Sequence, residues 1–388
     1  MNRVRNPYSP GAGTPPPALV GRGKQIKDMD VVLQRRLLGK PAKSMMLTGL
    51  RGVGKTVLLN EFSKTALRLE YVHEHVEANE NIDFPSMVAS TMRKILLRLN
   101  ARQRLAGKVQ RALGVLKAFS VRLPNGPEFT IDVEAVPGPA DTGDLTSDLS
   151  GLLCEVGDAA QATGTGVFVT IDEIQYLAPK DLSALMVGLH RVAQLSLPLL
   201  IAGAGLPSLP GLLGEAKSYA ERMFDFPEIG SLTPPDAAEA IVVPASDEGV
   251  AWDEDAVQLV VDLTQGYPYF LQEFGKQSWD LAPGQNRITR NDVASSVEVT
   301  LAELDTGFFR VRIDKTTDAE RAYLRAMATV GPGPHPSSDV ATLLKKTTRQ
   351  LGPVRDGLIK RGLCYAPRWG EIAFTVPMFD GFMRRLMP

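Results

Sequence analysis

The feature that most constrains the fold is a glycine-rich segment, Gly49-Leu50-Arg51-Gly52-Val53-Gly54-Lys55-Thr56. It matches the P-loop pattern, in which a strand precedes the loop and a helix follows it. Here the apolar run Ser44–Thr48 precedes the loop, and Thr56–Leu69 follows with apolar residues at helical spacing. Glycines let successive N–H groups point at phosphate oxygens, and the positive end of the helix adds to the attraction. The sequence therefore predicts a phosphate-binding loop.

The loop also supplies most of the predicted nucleotide contacts. We expect Lys55 to reach the β- and γ-phosphates of ATP and Thr56 to ligate Mg²⁺. The predicted nucleotide-binding residues in this part of the chain are Gly49, Leu50, Arg51, Gly52, Val53, Gly54, Lys55, Thr56 and Val57.

A second motif ends a buried strand with two acids. Val167–Ile171 is continuous and mostly β-branched, and Asp172 and Glu173 follow it directly. An acid at a strand tip can hold Mg²⁺ through water, and the next acid can polarise an attacking water. We therefore predict Asp172 as a metal ligand with Thr56, and Glu173 as a catalytic residue with Lys55. The Asp-Glu pair favours nucleotide hydrolysis over phosphoryl transfer to a small metabolite.

The order of the segments predicts an α/β fold and several domains. Strand-like and helix-like segments alternate up to about Pro227, which favours a parallel sheet with helices on both faces. A helical region and a segment of three helices with two short strands follow. We predict an extended arm (1–18), a P-loop domain (19–230) with an insertion at about 100–140, an all-helical lid (231–312) and a winged-helix domain (313–388). A β-hairpin around Pro124–Gly126 is expected within the insertion.

Composition excludes some functions. Lys and Arg number 43 and Asp and Glu 44, a formal net charge of −1, so the whole surface cannot coat nucleic acid or an anionic membrane. Cys154 and Cys364 have no metal-ligand spacing, so we expect neither a disulfide framework nor a zinc site. Met1–Pro17 does not resemble a signal peptide, and prolines interrupt the uncharged stretch Leu195–Leu213. These observations favour a cytoplasmic protein without membrane contact.

The carboxy-terminal segment is locally basic. From Thr316 onward it holds eleven Lys and Arg against six Asp and Glu. Three helices and a two-stranded wing are typical of a winged helix-turn-helix, and Arg, Lys and Gln suit phosphates and base edges. Double-stranded DNA is therefore the predicted partner, and a winged helix that binds protein is the alternative. The predicted DNA contacts are Arg349, Gln350, Arg355, Lys360, Arg361 and Arg368.

Two further charged features leave alternatives open. Arg222 precedes the last strand of the sheet domain, where it either stabilises charge at the active site of a neighbouring subunit or ends a surface helix. Arg93–Arg122 holds nine Lys and Arg and no acid, whereas Leu123–Pro179 holds ten acids and no Lys or Arg. The basic run can track a phosphate backbone, pack against the acidic stretch or face solvent.

Taken together, these motifs resemble the initiator-like AAA+ ATPases, related to origin-recognition and archaeal replication-initiator proteins, and in particular bacterial ATP-binding members with a carboxy-terminal winged helix. The resemblance rests on Leu19–Arg22, the P-loop, the strand that ends in Asp172-Glu173, the lid motif Gly266–Gln272 and the terminal segment. It implies that the base pocket is lined by Val20, Gly21 and Arg22. It also implies that the lid motif, with Tyr267 and Pro268, closes over the phosphates.

Two departures from this family pattern affect the expected activity. Gly203-Ala204-Gly205 stands where the family places a polar sensor residue, and Pro268-Tyr269 stands where many members have an Arg that touches the γ-phosphate. Both predict slow or partner-stimulated hydrolysis of ATP. We therefore expect an ATP-controlled switch that binds DNA. The alternative is a STAND-like regulatory NTPase that assembles with a protein partner or with itself.

Overall fold

The computed structural model describes residues 1–11, 13–102, 107–121, 123, 133–284 and 286–387. The chain forms two compact units. The sheet unit comprises Gly23–Thr48 and Lys55–Glu228, and the helical unit comprises Met1–Arg22, Gly49–Gly54 and Ile229–Pro388.

A parallel sheet organises the sheet unit, as the sequence predicts. Its strands lie in the order β2-β3-β4-β1-β5, and every neighbouring pair is parallel. The strands are β1 (Ser44–Thr48), β2 (Val72–Glu77), β3 (Val167–Asp172), β4 (Leu199–Gly205) and β5 (Phe224–Asp225).

The central strands are buried along their whole length, which explains their continuous apolar sequences. Met46 of β1 pairs with Gly203 of β4, and Gly203 also pairs with Ile171 of β3. This register brings the carboxyl ends of β1, β3 and β4 to one edge of the sheet. The sequence predicts that β4 ends at Ala202, but the strand continues to Gly205.

Eight helices surround this sheet in the described part of the unit. They are α1 (Gly23–Leu37), α2 (Lys55–Arg68), α3 (Phe84–Arg102), α4 (Gly107–Val121), α5 (Leu145–Ala162), α6 (Pro179–Gln194), α7 (Leu209–Ala216) and α8 (Ala220–Met223). In the core, the apolar faces of α3 to α6 pack against the sheet.

The predicted hairpin is wrong where it can be assessed. Residues 119–121 end α4 and are helical, because Phe119 continues the buried face formed by Leu113 and Leu116. Residues 124–132, which hold the predicted turn and most of the second strand, lie outside the described residues.

The acidic stretch pairs with part of the basic run. Arg111 on α4 contacts Glu155 on α5 at 3.0 Å, and Lys108 pairs with Asp158 one turn further along. On β2, Glu74 pairs with Arg98 of α3 at 2.8 Å. Of the three alternatives for the basic run, packing against the acidic stretch therefore accounts for Arg111 and Lys108, whereas Glu74 lies outside that stretch.

The helical unit has nine helices and five short strands within its described residues. The helices are α9 (Pro234–Asp247), α10 (Glu254–Thr264), α11 (Pro268–Leu281), α12 (Arg290–Glu303), α13 (Arg310–Ile313), α14 (Asp318–Val330), α15 (Ser337–Leu343), α16 (Thr348–Lys360) and α17 (Phe379–Leu386). The strands are β6 (Ala251–Trp252), β7 (Arg287–Ile288), β8 (His335–Pro336), β9 (Cys364–Tyr365) and β10 (Glu371–Phe374).

Two small sheets complete this unit. Strands β6 and β7 form a parallel pair within the region that the sequence predicts to be all-helical. Strands β8, β10 and β9 form an antiparallel sheet beside α14 to α17. A π-helical turn, Leu304–Phe309, joins α12 to α13. The division of this unit into a lid and a winged-helix domain stays a prediction.

The amino-terminal arm is anchored on α9, β6 and α11. The Tyr8 hydroxyl donates to the carbonyl oxygen of Ile241 at 2.5 Å and accepts from the indole N–H of Trp252 at 2.9 Å. The Tyr8 ring occupies the space beside Gly275, where a Cβ would lie 2.7 Å from it. The described part of the arm has one short 3₁₀ turn at Arg3–Arg5, and the Tyr8 side chain is part of the core.

No helix among the described residues is long and apolar enough to cross a bilayer. Both cysteines are free thiols.

One half-buried histidine, His73, makes the stability of the sheet unit sensitive to pH. The His73 ring contacts the hydroxyls of Ser63 at 2.9 Å and Thr170 at 3.1 Å. Burial, followed by the charges of His75 and Arg98, lowers the pKa of His73 from 6.5 to about 4. The unfolded chain therefore binds this proton at a higher pH than the folded chain does.

We predict that the free energy of unfolding is highest above pH 6.5 and decreases as the pH falls towards 4. This group contributes at most about 1.4 kcal/mol per pH unit in that window. Urea denaturation of the wild type and His73→Gln at pH 7 and pH 4.5 measures the effect. The variant should lose most of the difference, whereas His75→Gln should retain it because burial of His73 persists. An equal difference in His73→Gln would contradict the assignment.

Candidate nucleotide-binding site

The predicted P-loop connects β1 to α2, and its glycines are required by the backbone. Gly52 and Gly54 have φ of +82° and +93°, in the left-handed region that favours glycine. At Gly49 a Cβ would lie 2.1 Å from the carbonyl oxygen of Ile229, so a side chain cannot fit. The sequence pattern therefore coincides with a conformation that only glycines adopt easily.

At the carboxyl edge of the sheet, the two predicted magnesium ligands are in direct contact. The Thr56 hydroxyl donates to Oδ2 of Asp172 at 2.5 Å. The other oxygen of that carboxylate, Oδ1, accepts from the backbone N–H of Glu173 at 2.8 Å. Thr56 is in the first turn of α2 and Asp172 ends β3, so the fold brings the two motifs together.

The donor set suits Mg²⁺. Hydroxyl and carboxylate oxygens are the ligands that this ion prefers, and it usually takes only one or two carboxylates together with waters and phosphates. Within the described residues no group of three or more His, Cys, Asp or Glu can hold a metal ion. Thr56 and Asp172 are the two residues that would hold a magnesium ion here.

Gln175 is a residue of this site that the sequence analysis missed. Its side-chain amide N–H donates to the Glu173 carboxylate, and its Oε1 accepts from the backbone N–H of Leu206 at 3.2 Å. A Cβ on Gly205 would lie 2.7 Å from that oxygen, so glycine at the end of β4 makes room for the amide. The end of β4, Gly203-Ala204-Gly205, has no polar side chain, and Gln175 places an amide there.

In the helical unit, Arg22 contacts the loop directly. Its guanidinium donates to the carbonyl oxygens of Gly230 at 2.5 Å and Val53 at 3.3 Å. Burial lowers the pKa of Arg22, and the negative charge of Asp236 partly opposes that shift. Beside it, Gly21 has a φ of +67°, and a Cβ there would lie 2.9 Å from Oδ2 of Asp236. These contacts fix the segment that the resemblance assigns to the base pocket.

The lid motif also lies against the loop. Tyr267 is 1% exposed, and a Cβ on Gly52 would lie 3.2 Å from its ring. Its hydroxyl has no hydrogen-bond partner among the described residues. Tyr267 precedes α11, and Pro268 occupies the first turn of that helix. Of the other predicted residues, Val20 and Leu50 are half-buried, and Lys55 and Val57 are buried.

Arg51 of the loop lies beside the carboxy-terminal segment, and a second arginine, Arg312, lies near Arg51. The Arg51 guanidinium lies beside Gly362, where a Cβ would be 2.6 Å from one of its terminal nitrogens. Arg312 lies over the Phe308 ring at 3.8 Å and donates to the Phe308 carbonyl. Burial and then the positive charge of Arg51 lower the pKa of Arg312. Arg312 could not be predicted from the sequence, because only the folded chain brings it near Arg51.

Arg222 is at the opposite edge of the sheet from Thr56 and Asp172. It is in α8, beside the first residues of β1 and β4, and lines a cavity there. Within one chain it therefore does not join the predicted catalytic residues. Its role in a neighbouring subunit stays a prediction.

The six predicted DNA contacts divide into two groups. Gln350 closes a capping box with Thr347, Arg355 donates to the Glu371 carbonyl at 3.3 Å, and Arg361 pairs with Glu320 at 3.2 Å. The other three side chains are exposed and have no hydrogen bond or ion pair with any described residue; they are Arg349, Lys360 and Arg368.

The turn between β9 and β10 exposes a residue that the sequence analysis did not assign. Trp369 is 102% exposed, next to Arg368. Large aromatic side chains that face solvent completely are typical of interaction surfaces. The sequence signal was the Arg-Trp-Gly turn itself.

Comparison with known proteins supports the fold. Residues 18–202 match a family model described as an AAA ATPase domain, and residues 306–383 match one described as a domain of unknown function, DUF8462. No curated protein matches the chain.

Three solved structures are similar over most of the chain. The Walker-type ATPase PABY2304 of Pyrococcus abyssi has a TM-score of 0.61 at 16% identity, covering 94% of this chain and 96% of that one. The Orc1 protein of Aeropyrum pernix, in complex with DNA, has a TM-score of 0.49 at 16% identity, covering 95% of each chain. The RuvB branch migration motor of Thermotoga maritima has a TM-score of 0.45 at 16% identity, covering 91% of this chain and 92% of that one.

Among these three, the Pyrococcus ATPase carries the fold assignment. Together with the family match over residues 18–202, it supports a P-loop NTPase fold of the AAA+ type.

Proposed function

We propose that this protein is a magnesium-dependent ATPase that uses ATP as a switch and binds DNA through its carboxy-terminal segment. The observation that carries the enzymatic part is the contact between Thr56 and Asp172, with Glu173 as the next residue. Thr56 ends the P-loop motif, in which Gly52 and Gly54 have the left-handed conformation that turns backbone N–H groups towards a phosphate.

In the proposed reaction a water attacks the γ-phosphorus of ATP and releases ADP and phosphate. Thr56 and Asp172 would hold Mg²⁺, which neutralises charge on the phosphates when bound. Glu173 orients the water and accepts its proton. Gln175 keeps the Glu173 carboxylate in place and is itself fixed by the backbone of Leu206. Hydrolysis is slow because Pro268-Tyr269 supplies no cation to the γ-phosphate.

We predict three distinct outcomes for substitutions at this site. Lys55→Ala should abolish ATP binding, because the phosphates lose their cation. Glu173→Gln should retain ATP binding but lose about 10²–10⁴-fold in turnover. Gln175→Ala should lower turnover by about 10- to 100-fold, because Glu173 loses its orientation. Equilibrium binding of a fluorescent ATP analogue and single-turnover hydrolysis measure the two properties.

A glutamine outside the site provides the control for damage to the fold. Gln194→Ala removes a side chain of the same type from the far end of α6 and should leave binding and turnover unchanged. Full ATP binding by Lys55→Ala would contradict the site. Normal turnover by Gln175→Ala would contradict its positioning role.

The DNA-binding part of the proposal is supported by the terminal segment. Four helices, α14 to α17, and an antiparallel sheet leave Arg349, Lys360 and Arg368 in solvent. Exposed cations contribute to affinity by displacing counterions from phosphates. Beside Arg368, Trp369 can insert at a base step as an apolar wedge.

We predict that each of Arg349→Gln, Lys360→Gln and Arg368→Gln weakens duplex-DNA binding and reduces the salt slope by about one. Trp369→Ala should weaken binding without changing that slope. Fluorescence anisotropy between 50 and 200 mM salt measures both. Lys315→Gln removes one exposed charge outside this group and serves as the control. Absence of DNA binding at low salt would overturn this part of the proposal.

A regulatory NTPase that binds protein is the second candidate. It is favoured by Trp369, since a fully exposed Trp is common where proteins meet. In that case Trp369→Ala should abolish capture of the partner, and salt should have little effect.

The switch is supported by contacts between the loop and the terminal segment within the helical unit. Arg51, in the P-loop, lies against Gly362 at the end of α16, and Gly52 lies against Tyr267. When nucleotide changes the loop conformation, these contacts transmit the change.

We predict that Gly362→Ala weakens this coupling. The new Cβ would displace the Arg51 guanidinium, and the φ of +64° adds strain. Hydrogen exchange of residues 318–387, with and without an ATP analogue, measures the coupling. In the wild type the analogue should change exchange there, and in Gly362→Ala the change should diminish. Gly249→Ala controls for strain alone, because its φ is +75° and nothing lies within 4 Å. The same loss in both variants would contradict the coupling.

A further inference from the structure

A cavity of about 510 Å³ lies in the sheet unit, at the amino-terminal edge of the sheet. Its walls include the first residues of β1 and β4, the last turn of α1, and α6 and α8. Thr56 and Asp172 lie at the other edge, so this cavity is separate from the proposed catalytic residues. Its volume is within the range of pockets that hold metabolites.

The cavity lining is cationic. Arg36, Lys43 and Arg222 contribute to it, and no Asp or Glu is among the described residues that line it. Lys43 donates to the Glu221 carbonyl at 3.0 Å and lies 3.7 Å from the exposed Asp225 carboxylate. That exposed pair is weak, and it leaves the positive charge of the other two side chains unbalanced.

Arg36 is the strongest indication of a missing anion. The residue is 5% exposed, yet its side chain has no hydrogen bond or ion pair with any described residue, and its Nε is buried. A buried guanidinium without a partner is costly to the folded state. Burial lowers its pKa, and among nearby groups only Tyr71 opposes that shift. The Ser44 hydroxyl, also in the lining, is 4% exposed and likewise unpartnered.

The cavity also offers an aromatic and an apolar wall. The rings of His190 and Tyr219 are 4.7 Å apart at an angle of 32°. Leu199, Met223 and Phe224 complete the apolar part of the lining. A planar ring would therefore find both stacking partners and apolar surface here.

We propose that this cavity binds a small phosphorylated molecule with a planar ring, with Arg36 and Arg222 on the phosphate and His190 and Tyr219 beside the ring. A phosphate monoester carries nearly two negative charges and several acceptor oxygens. It therefore matches two guanidinium groups and a hydroxyl better than a ligand with a single carboxylate would. The inference does not depend on the proposed function, because every residue involved lies outside the predicted nucleotide contacts of the P-loop.

The test uses the full chain with Lys55→Ala, so that binding at the P-loop is suppressed. AMP is the probe, and adenosine and inorganic phosphate are its two parts. Calorimetric titration should show that AMP binds at least about tenfold more tightly than either part. Adding Arg36→Gln or Arg222→Gln should weaken AMP binding about 10- to 100-fold, and Tyr219→Leu should reduce the advantage of AMP over phosphate.

Arg191→Gln is the matched control, since it removes an exposed guanidinium from the same helix as His190; among the described residues this side chain donates only to Gln194. It should leave AMP binding unchanged. The Arg36→Gln protein should unfold at the same or a higher temperature than its parent, because an unpartnered charge leaves the interior. The proposal is overturned if AMP does not bind at millimolar concentration, if phosphate binds as tightly as AMP, or if AMP binding survives both arginine variants.

Discussion

The hydrogen bond between Thr56 and Asp172 is the contact on which the rest of the candidate site depends. It joins the first turn of α2 to the end of β3, although the residues are 116 positions apart in the chain. Strand β4 lies between β1 and β3, so the contact exists only while Met46, Gly203 and Ile171 keep their register. A shift by one residue would turn every side chain of a strand to the other face. The buried strands of this sheet therefore fix the spacing of the two motifs.

Much of the sheet could be predicted from the sequence, because parallel strands that are covered on both faces must be continuously apolar. That signal located β1 and β3 to within a residue. It failed at the end of β4, where Gly203 and Gly205 have little strand propensity but are buried by their neighbours. The helix α5 was not predicted either, because its glycines lower the helix propensity of the segment. In the folded chain, packing against α6 outweighs that low propensity. A Cβ on Gly188 of α6 would lie 3.4 Å from the Ser150 Cα, so close approach of the two helices stabilises both.

The candidate site could be predicted only where its residues are contiguous in sequence. The P-loop and the Asp-Glu pair carry their chemistry in their order along the chain. The role of Gln175 cannot be inferred in this way, because it depends on the Glu173 carboxylate and on the backbone N–H of Leu206, just after β4. The same holds for Arg312, which meets Arg51 only after the helical unit has formed. Contacts between distant segments are set by packing, and periodicity in the sequence does not encode them.

The polarity of the parallel sheet gives its two edges opposite electrostatics. Helices that follow the strands begin near the carboxyl edge, where their positive ends favour phosphate, as at the start of α2. Helices that lead into strands end near the amino-terminal edge, where carbonyl groups favour cations. This accounts for Arg36 in the last turn of α1. It does not account for the missing hydrogen bonds, because a guanidinium held by a helix end should donate to its last carbonyls. Neighbouring Arg35 does donate to a carbonyl, that of Pro41, at 3.0 Å. The helix end therefore explains why a cation is tolerated at this edge, and an anionic ligand explains why Arg36 faces the cavity instead of the backbone.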